Sequence, residues 1–174
     1  MKKLIVLIAL VLFPVLTQAQ SFSKYADMKG VSSMVMTSEM FKLLADIDFE
    51  SKDEEVKRYI KLIENLKDIK VLTTEDASIS AKMQADVSTY LTSASMDELM
   101  SFKDDGKEVK FYSKPGSTKG AVSQLFMFMK GMEDGKPITV IMSITGDIDL
   151  KEVSKLAQDL EVPGAEQLEK VNEK

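Results

Sequence analysis

The 174-residue chain has no cysteine and no histidine, and Arg58 is its single arginine. Each absence removes a class of chemistry. Without cysteine there is no disulfide, no thiolate nucleophile and no acceptor for the lipid that anchors a bacterial lipoprotein. Without histidine there is no Ser-His-Asp triad and no imidazole ligand or base. One arginine gives little scope for the planar fork that grips phosphates and carboxylates. Basic residues are outnumbered, 23 Lys and Arg against 28 Asp and Glu. Nucleic acid, which requires clustered positive charge, is thereby disfavoured, and no strong basic patch for anionic lipid headgroups is visible. Any enzyme chemistry would rest on carboxylate, lysine, serine or tyrosine side chains, and no catalytic or cofactor motif is present. The expectation is a non-enzyme with no cofactor.

Long apolar runs are equally scarce. The single one follows Met1-Lys2-Lys3 and extends from Leu4 to Leu16. At roughly 13 residues it matches the apolar core of a secretory signal and falls short of the about 20 residues that span a bilayer. Pro14 interrupts its end, and Thr17-Gln18-Ala19 supplies small residues at both flanks of a cleavage site. The pattern predicts a signal peptide over 1–19, with Gln20 first in the mature protein; the competing reading is an uncleaved anchor. Loss of Lys2 and Lys3 takes 23 basic residues to 21 against 28 acidic, a net charge of −7. Residues 20–174 are expected to form a single α+β domain with a polar tail from about 165. They should be periplasmic or secreted, with no membrane span. About 155 residues bury enough surface to fold without disulfides.

Periodicity supplies the elements. Val31 to Thr37 alternates as a strand. A short helix follows from Glu39 to Ala45. Ser51-Lys52-Asp53-Glu54 is a capping box; it opens a helix with Val56, Tyr59, Ile60, Ile63 and Leu66 on one face. Ile69 to Thr73 is a short apolar strand. Ser78 to Ser93 reads as a second amphipathic helix with Met83, Val87, Tyr90 and Leu91 in register. Met96 to Phe102 and Val109 to Tyr112 are strands joined at Asp105-Gly106, a hairpin turn pair. Ser113 to Gly120 reads as a loop, and Ala121 to Met129 as a strand apolar on both faces. Asp134-Gly135 marks a second hairpin. In Ile138 to Thr145, the residues Ile138, Val140, Met142 and Ile144 are assigned inward, with Thr139, Ser143 and Thr145 outward and Ile141 the exception. Asp149 is expected to cap a last helix carrying Leu150, Val153, Leu156 and Leu160. The sum is a mixed, mostly antiparallel sheet of five or six strands with about three helices packed mainly on one face.

Four stretches carry a family resemblance. They are Ser21-Phe22-Ser23-Lys24-Tyr25 with Lys29-Gly30-Val31, Leu66-Lys67-Asp68-Ile69 with Val71-Leu72, Glu98-Leu99-Met100 with Asp105-Gly106 and Phe111-Tyr112, and Ile144-Thr145-Gly146-Asp147-Ile148. Together they resemble a domain-of-unknown-function family (number 4252) of small exported bacterial proteins, common in envelopes of the Bacteroidetes type. The family's motifs are structural and bring no catalytic residues. Many members look like lipoproteins, and this chain departs from them by lacking the cysteine. Members often lie beside genes for extracytoplasmic sigma factors and their membrane regulators. By analogy, the resemblance implies a role in envelope sensing or stress regulation.

Four constellations remain to be weighed. Asp46, Asp48 and Glu50 alternate as in the opening of a calcium loop, but Ser51 stands in the place of the turn glycine and Lys57 in that of the closing carboxylate. With Asp147 and Asp149, these acids precede helices, where the helix dipole favours them. Met34-Val35-Met36 and Met127-Phe128-Met129 are Met-x-Met pairs, with Met132 near the second. Thioethers suit Cu(I); methionine is also a flexible core filler, and period two assigns each pair to one buried face. Phe126, Met127, Phe128, Met129 and Met142 could line a cavity for a small apolar ligand, or a close-packed core. The loop Ser113 to Gly120 holds glycines, hydroxyls and lysines, yet lacks the order of a phosphate-binding loop. Two function classes stand: an interaction or sensing module with an envelope protein as partner, and a periplasmic carrier for a hydrophobic small ligand. A carboxylate-based enzyme is a weaker third.

Overall fold

Two Asp-Gly pairs set the register of the sheet. In the computed structural model, which describes residues 22–46, 54–118 and 120–153, Asp105 and Gly106 have φ of 41° and 72°, and Asp134 and Gly135 have φ of 50° and 76°. Positive φ at both central residues is the two-residue turn whose twist matches that of antiparallel strands. The first pair joins β3 (Asp97–Asp104) to β4 (Lys107–Pro115). The second joins β5 (Ala121–Glu133) to β6 (Lys136–Asp149). With β4 paired to β5, these four strands form an antiparallel meander.

The N-terminal half completes the sheet. It comprises α1 (Ser23–Ala26), β1 (Ser32–Thr37), α2 (Ser38–Asp46), α3 (Glu54–Glu64), β2 (Leu66–Thr74) and α4 (Ala77–Ser93). Strand β2 pairs with β6 and β1 with β2, both antiparallel, giving the order β1-β2-β6-β5-β4-β3. The expected α+β architecture is thus present. No helix among the described residues is long and apolar enough to cross a membrane.

The main core lies between α4 and one face of the sheet. Asp76 caps α4, its Oδ1 accepting from the Ile79 N–H at 2.9 Å, as an N-cap carboxylate does. Ile79, Met83 and Val87 then face the sheet residues Leu72, Ile141, Phe126, Phe128 and Tyr112, and α1 adds Phe22 and Tyr25 to the same cluster. Phe22, Tyr90 and Phe126 form a ring group with centroids 5.1 to 5.6 Å apart, a spacing at which aromatic pairs attract. A smaller cluster of Val122, Leu125 and Ile148 lies apart, with Leu150 and Val153 packed against it.

Three sequence expectations need correction. Leu66 is the first residue of β2 rather than the last apolar residue of α3. Ser113 to Pro115 belong to β4, not to a loop. The face assignment of β6 is reversed beyond Ile138, which is buried: Thr139 and Ile141 are buried beneath α4, while Val140, Met142 and Ile144 are only half-buried on the other side. Alternation shows which residues share a face; it does not show which face a helix will cover. The capping residue Ser51 and the helix stripe at Leu156 and Leu160 lie outside the described residues.

Candidate functional site: a methionine-rich sheet face

Strand register lines up apolar residues across the face away from α4. Met34, Val71, Met142, Met127, Phe111 and Met100 are successive Cα partners on β1, β2, β6, β5, β4 and β3, a row that crosses the whole sheet. One flanking row is Ser32, Thr73, Val140, Met129, Val109 and Phe102. The other is Met36, Ile69, Ile144, Leu125, Ser113 and Asp97. Asp97, on the edge strand, is the single charged residue in the three rows. The face follows from period two: every second residue of each strand projects to one side, and here most of those residues are apolar.

Burial does not match this composition. Within the three rows, Leu125 and Ser113 are the buried residues. The other apolar side chains are half-buried, and Met34 is 49% exposed. Neighbours on adjacent strands cover their flanks, because directly opposed side chains stand about 5 Å apart. Their outer ends remain accessible. In the buried cluster of this face, Leu150 and Val153 are the helical residues, and they pack at the Leu125 and Ile144 end. The opposite face carries Ser143, Thr139, Lys70, Lys110 and Lys130 among its apolar residues, and yet it holds the core. An extended apolar surface of this kind marks an interaction site or a ligand groove more often than chance would place it. Methionine suits such a surface, since its unbranched thioether side chain repacks against different shapes.

The predicted cavity lining is divided by the sheet. Phe126 (0% exposed) and Phe128 (9%) lie in the core under α4. Met127, Met129 and Met142 lie on the face away from α4, with Met127 directly opposite Met142. The five residues therefore line no common cavity. The two Met-x-Met pairs do each share one face, as period two requires, but that face is half-buried rather than closed.

The acidic candidates come out separately. Asp48, Glu50 and the side chain of Asp46 lie outside the described residues. Asp149 accepts from the Lys151 N–H at 2.9 Å, a capping contact at the start of the helical residues 150–153. Asp147 and Asp149 line a cavity of about 340 Å³ with Lys61 and Glu152. Among the described residues, no group of three or more acids forms a metal-binding cluster. The Ser113 to Gly120 segment closes on itself, with the Gly116 N–H donating to the Ala121 carbonyl at 3.0 Å.

One feature has no counterpart in the motifs of the sequence. A cavity of about 430 Å³ opens between α4 and the ends of the two hairpins, with Ser80, Thr139, Lys103 and Lys130 among its lining. Its lysines are spread over β3, β4 and β5, so only strand pairing brings them together.

Comparison with known proteins gives one match. The family described as Domain of unknown function (DUF4252) matches residues 25–156. No curated protein and no solved structure matches the chain.

Proposed function

We propose that this chain, which belongs to the family described as Domain of unknown function (DUF4252), is an exported, non-enzymatic interaction or sensing module of the bacterial envelope. Its methionine-rich face docks a flat, uncharged apolar surface of a partner protein. The observation that carries this reading is the row from Met34 to Met100, apolar on all six strands and half-buried rather than closed.

Area and charge define the occupant. Six strands about 4.8 Å apart and three same-face rows about 6.8 Å apart span about 600 Å², of which the two rows away from the buried Leu125 and Ser113 make up about 400 Å². Contact over those two rows buries about 800 Å² in total, the size of a small, transient interface. A small apolar ligand would leave most of that area wet. With Asp97 the single charge in the three rows, a charged partner surface would lose its hydration and find no counter-charge. The absence of histidine and cysteine supports the non-enzymatic part of the reading, and the apolar run from Leu4 to Leu16 supports export. The carrier alternative is weakened because its five lining residues lie on two sides of the sheet.

Photo-crosslinking in intact cells tests this. A benzoylphenylalanine placed at Met142, in the middle of the face, is expected to give one discrete protein adduct. The same group at Lys82, on the exposed side of α4, is expected to give none. An adduct of twice the chain mass would identify the partner as a second copy. Equal crosslinking from both positions, or none from Met142, sinks the proposal.

A further inference from the structure

The groove beside α4 has a chemistry unlike that of the methionine face. Two cavities, of about 430 and about 300 Å³, adjoin there and share Gln84, Glu108 and Lys130. Their combined room falls in the range of small-molecule sites. Ser80 and Thr139 line the first cavity, 4% and 0% exposed. Their hydroxyl oxygens are 2.6 Å apart, and the Gln84 Nε2 donates to Ser80 Oγ at 3.2 Å.

Two hydroxyls carry two protons, and only one can lie between the two oxygens. If Ser80 donates, the Thr139 proton is left over; if Thr139 donates, the Ser80 proton is left over. In neither case does the remaining proton have an acceptor among the described residues. A buried donor without an acceptor is costly, and nearly all such groups in native proteins find one. The spare proton therefore points to an acceptor in the groove, which water or a ligand can supply.

The walls say which kind. Lys103, Lys107 and Lys130 line the first cavity with Glu108, and Glu133, Asp105 and Asp134 at the hairpin ends act on Lys107. Glu108 is 3.2 Å from Lys130, and Lys107 is held by Glu133 at 2.5 Å. Lys103 has no carboxylate oxygen within 4 Å among the described residues, although its charge also acts on Glu108, its cross-strand partner. The row Lys103, Glu108, Lys130 and Thr139 crosses four strands, so the cations and the hydroxyl pair stand on one side of the sheet. Such a concentration of lysine is notable in a chain of net charge −5. Met132, Pro137 and Ile138 supply an apolar wall at the same end.

We infer that this groove binds a small organic anion. A carboxylate or phosphate head sits against Lys103, Lys130 and the spare hydroxyl proton, and a short apolar tail lies over Met132, Pro137 and Ile138. The head supplies the missing acceptor and the second charge. Ammonium donors and an anionic acceptor make hydrogen bonds about twice as strong as neutral ones. The site lies away from the docking face, so it stands or falls independently of that proposal.

Titration calorimetry on the full mature chain, with octanoate, octyl phosphate and octanol as probes, tests it. Both anions are expected to bind and octanol is not; whichever anion binds more tightly identifies the head group. Lys103→Gln, at an exposed position, is expected to weaken binding about tenfold, the loss of one charged hydrogen bond. Thr139→Val is expected to weaken it as well, with a melting curve to confirm that the variant is folded. Lys82→Gln is expected to change nothing. Equal binding of octanol, no effect of Lys103→Gln, or no binding up to about 1 mM would each overturn the inference.

Discussion

Asp86 ties α1 to α4. The Tyr25 hydroxyl donates to its Oδ2 at 2.6 Å, and Lys24 Nζ lies 2.5 Å from the same oxygen. Burial acts to raise the Asp86 pKa, but the hydrogen bonds from Lys24 and Tyr25 outweigh it and the net shift is downward. Tyr25 moves the other way, raised by its own burial and by Asp86. Because the folded pKa of Asp86 lies below its unfolded value, its stabilising contribution is complete above the ordinary carboxylate range. That contribution is lost as pH falls through the lowered folded value. Asp86→Asn is therefore expected to flatten part of the decline in stability below about pH 4. Urea unfolding midpoints measured from neutral to acid pH check this; a parallel decline in both proteins would show that other carboxylates are responsible. The pairing itself could not be read from the sequence, since Tyr25 and Asp86 are 61 residues apart.

At the scale of elements, one glycine decides where α3 gives way to β2. Leu66 follows the helical stripe of Val56, Tyr59 and Ile63 at helical spacing, which assigns it to the helix. However, it pairs with Gly146 in the sheet, and a single residue, Asn65, makes the turn. The Asn65 carbonyl accepts from the Asp147 N–H at 3.0 Å, which draws the turn against β6. A Cβ on Gly146 would clash with the Asn65 carbonyl oxygen and come 2.9 Å from Leu66 Cα, both of them backbone atoms. Gly146 also has φ of 155°, so Gly146→Ala is expected to cost about 1–3 kcal/mol from overpacking, with backbone strain in addition. Gly135→Ala, where a Cβ meets nothing within 4 Å, should cost only the strain of positive φ, about 1 kcal/mol. Denaturant unfolding of the two variants, both at positive φ, is expected to show the larger loss at Gly146, and equal losses would refute the close-approach account. The hairpins were legible in advance because Asp-Gly carries its turn geometry locally. The α3–β2 junction was not, because a leucine suits helix and strand alike and a distant strand makes the choice.

For the whole molecule, the sheet separates two surfaces of different character. One side holds the closed aromatic core and the lysine groove; the other presents the methionine rows. The proposed export bears on both, since cleavage after Ala19 would leave a net charge of −7 beside a face with a single charged residue, Asp97. Intact-mass measurement of the protein isolated from cells is expected to place its N-terminus at Gln20 or within a residue or two. A mass corresponding to a chain that begins at Met1 would contradict export by cleavage.

Much of this protein was determined by sequence alone: α+β composition, most strands and helices, both hairpins and the membership of each strand face. These properties depend on neighbours within a few residues, through turn chemistry, capping and the two periodicities of backbone structure. Coverage of the faces was decided only by tertiary structure. Val140, Met142 and Ile144 alternate as a core set would, yet α4 lands on Thr139 and Ile141. The same placement separates Phe126 and Phe128 from Met127 and Met129, and strand pairing alone assembles Lys103, Glu108, Lys130 and Thr139. A period of two divides a strand into sides without naming the inner one. That choice is a long-range contact, made where the helix finds aromatic surface to bury and hydroxyl groups it can hydrogen-bond.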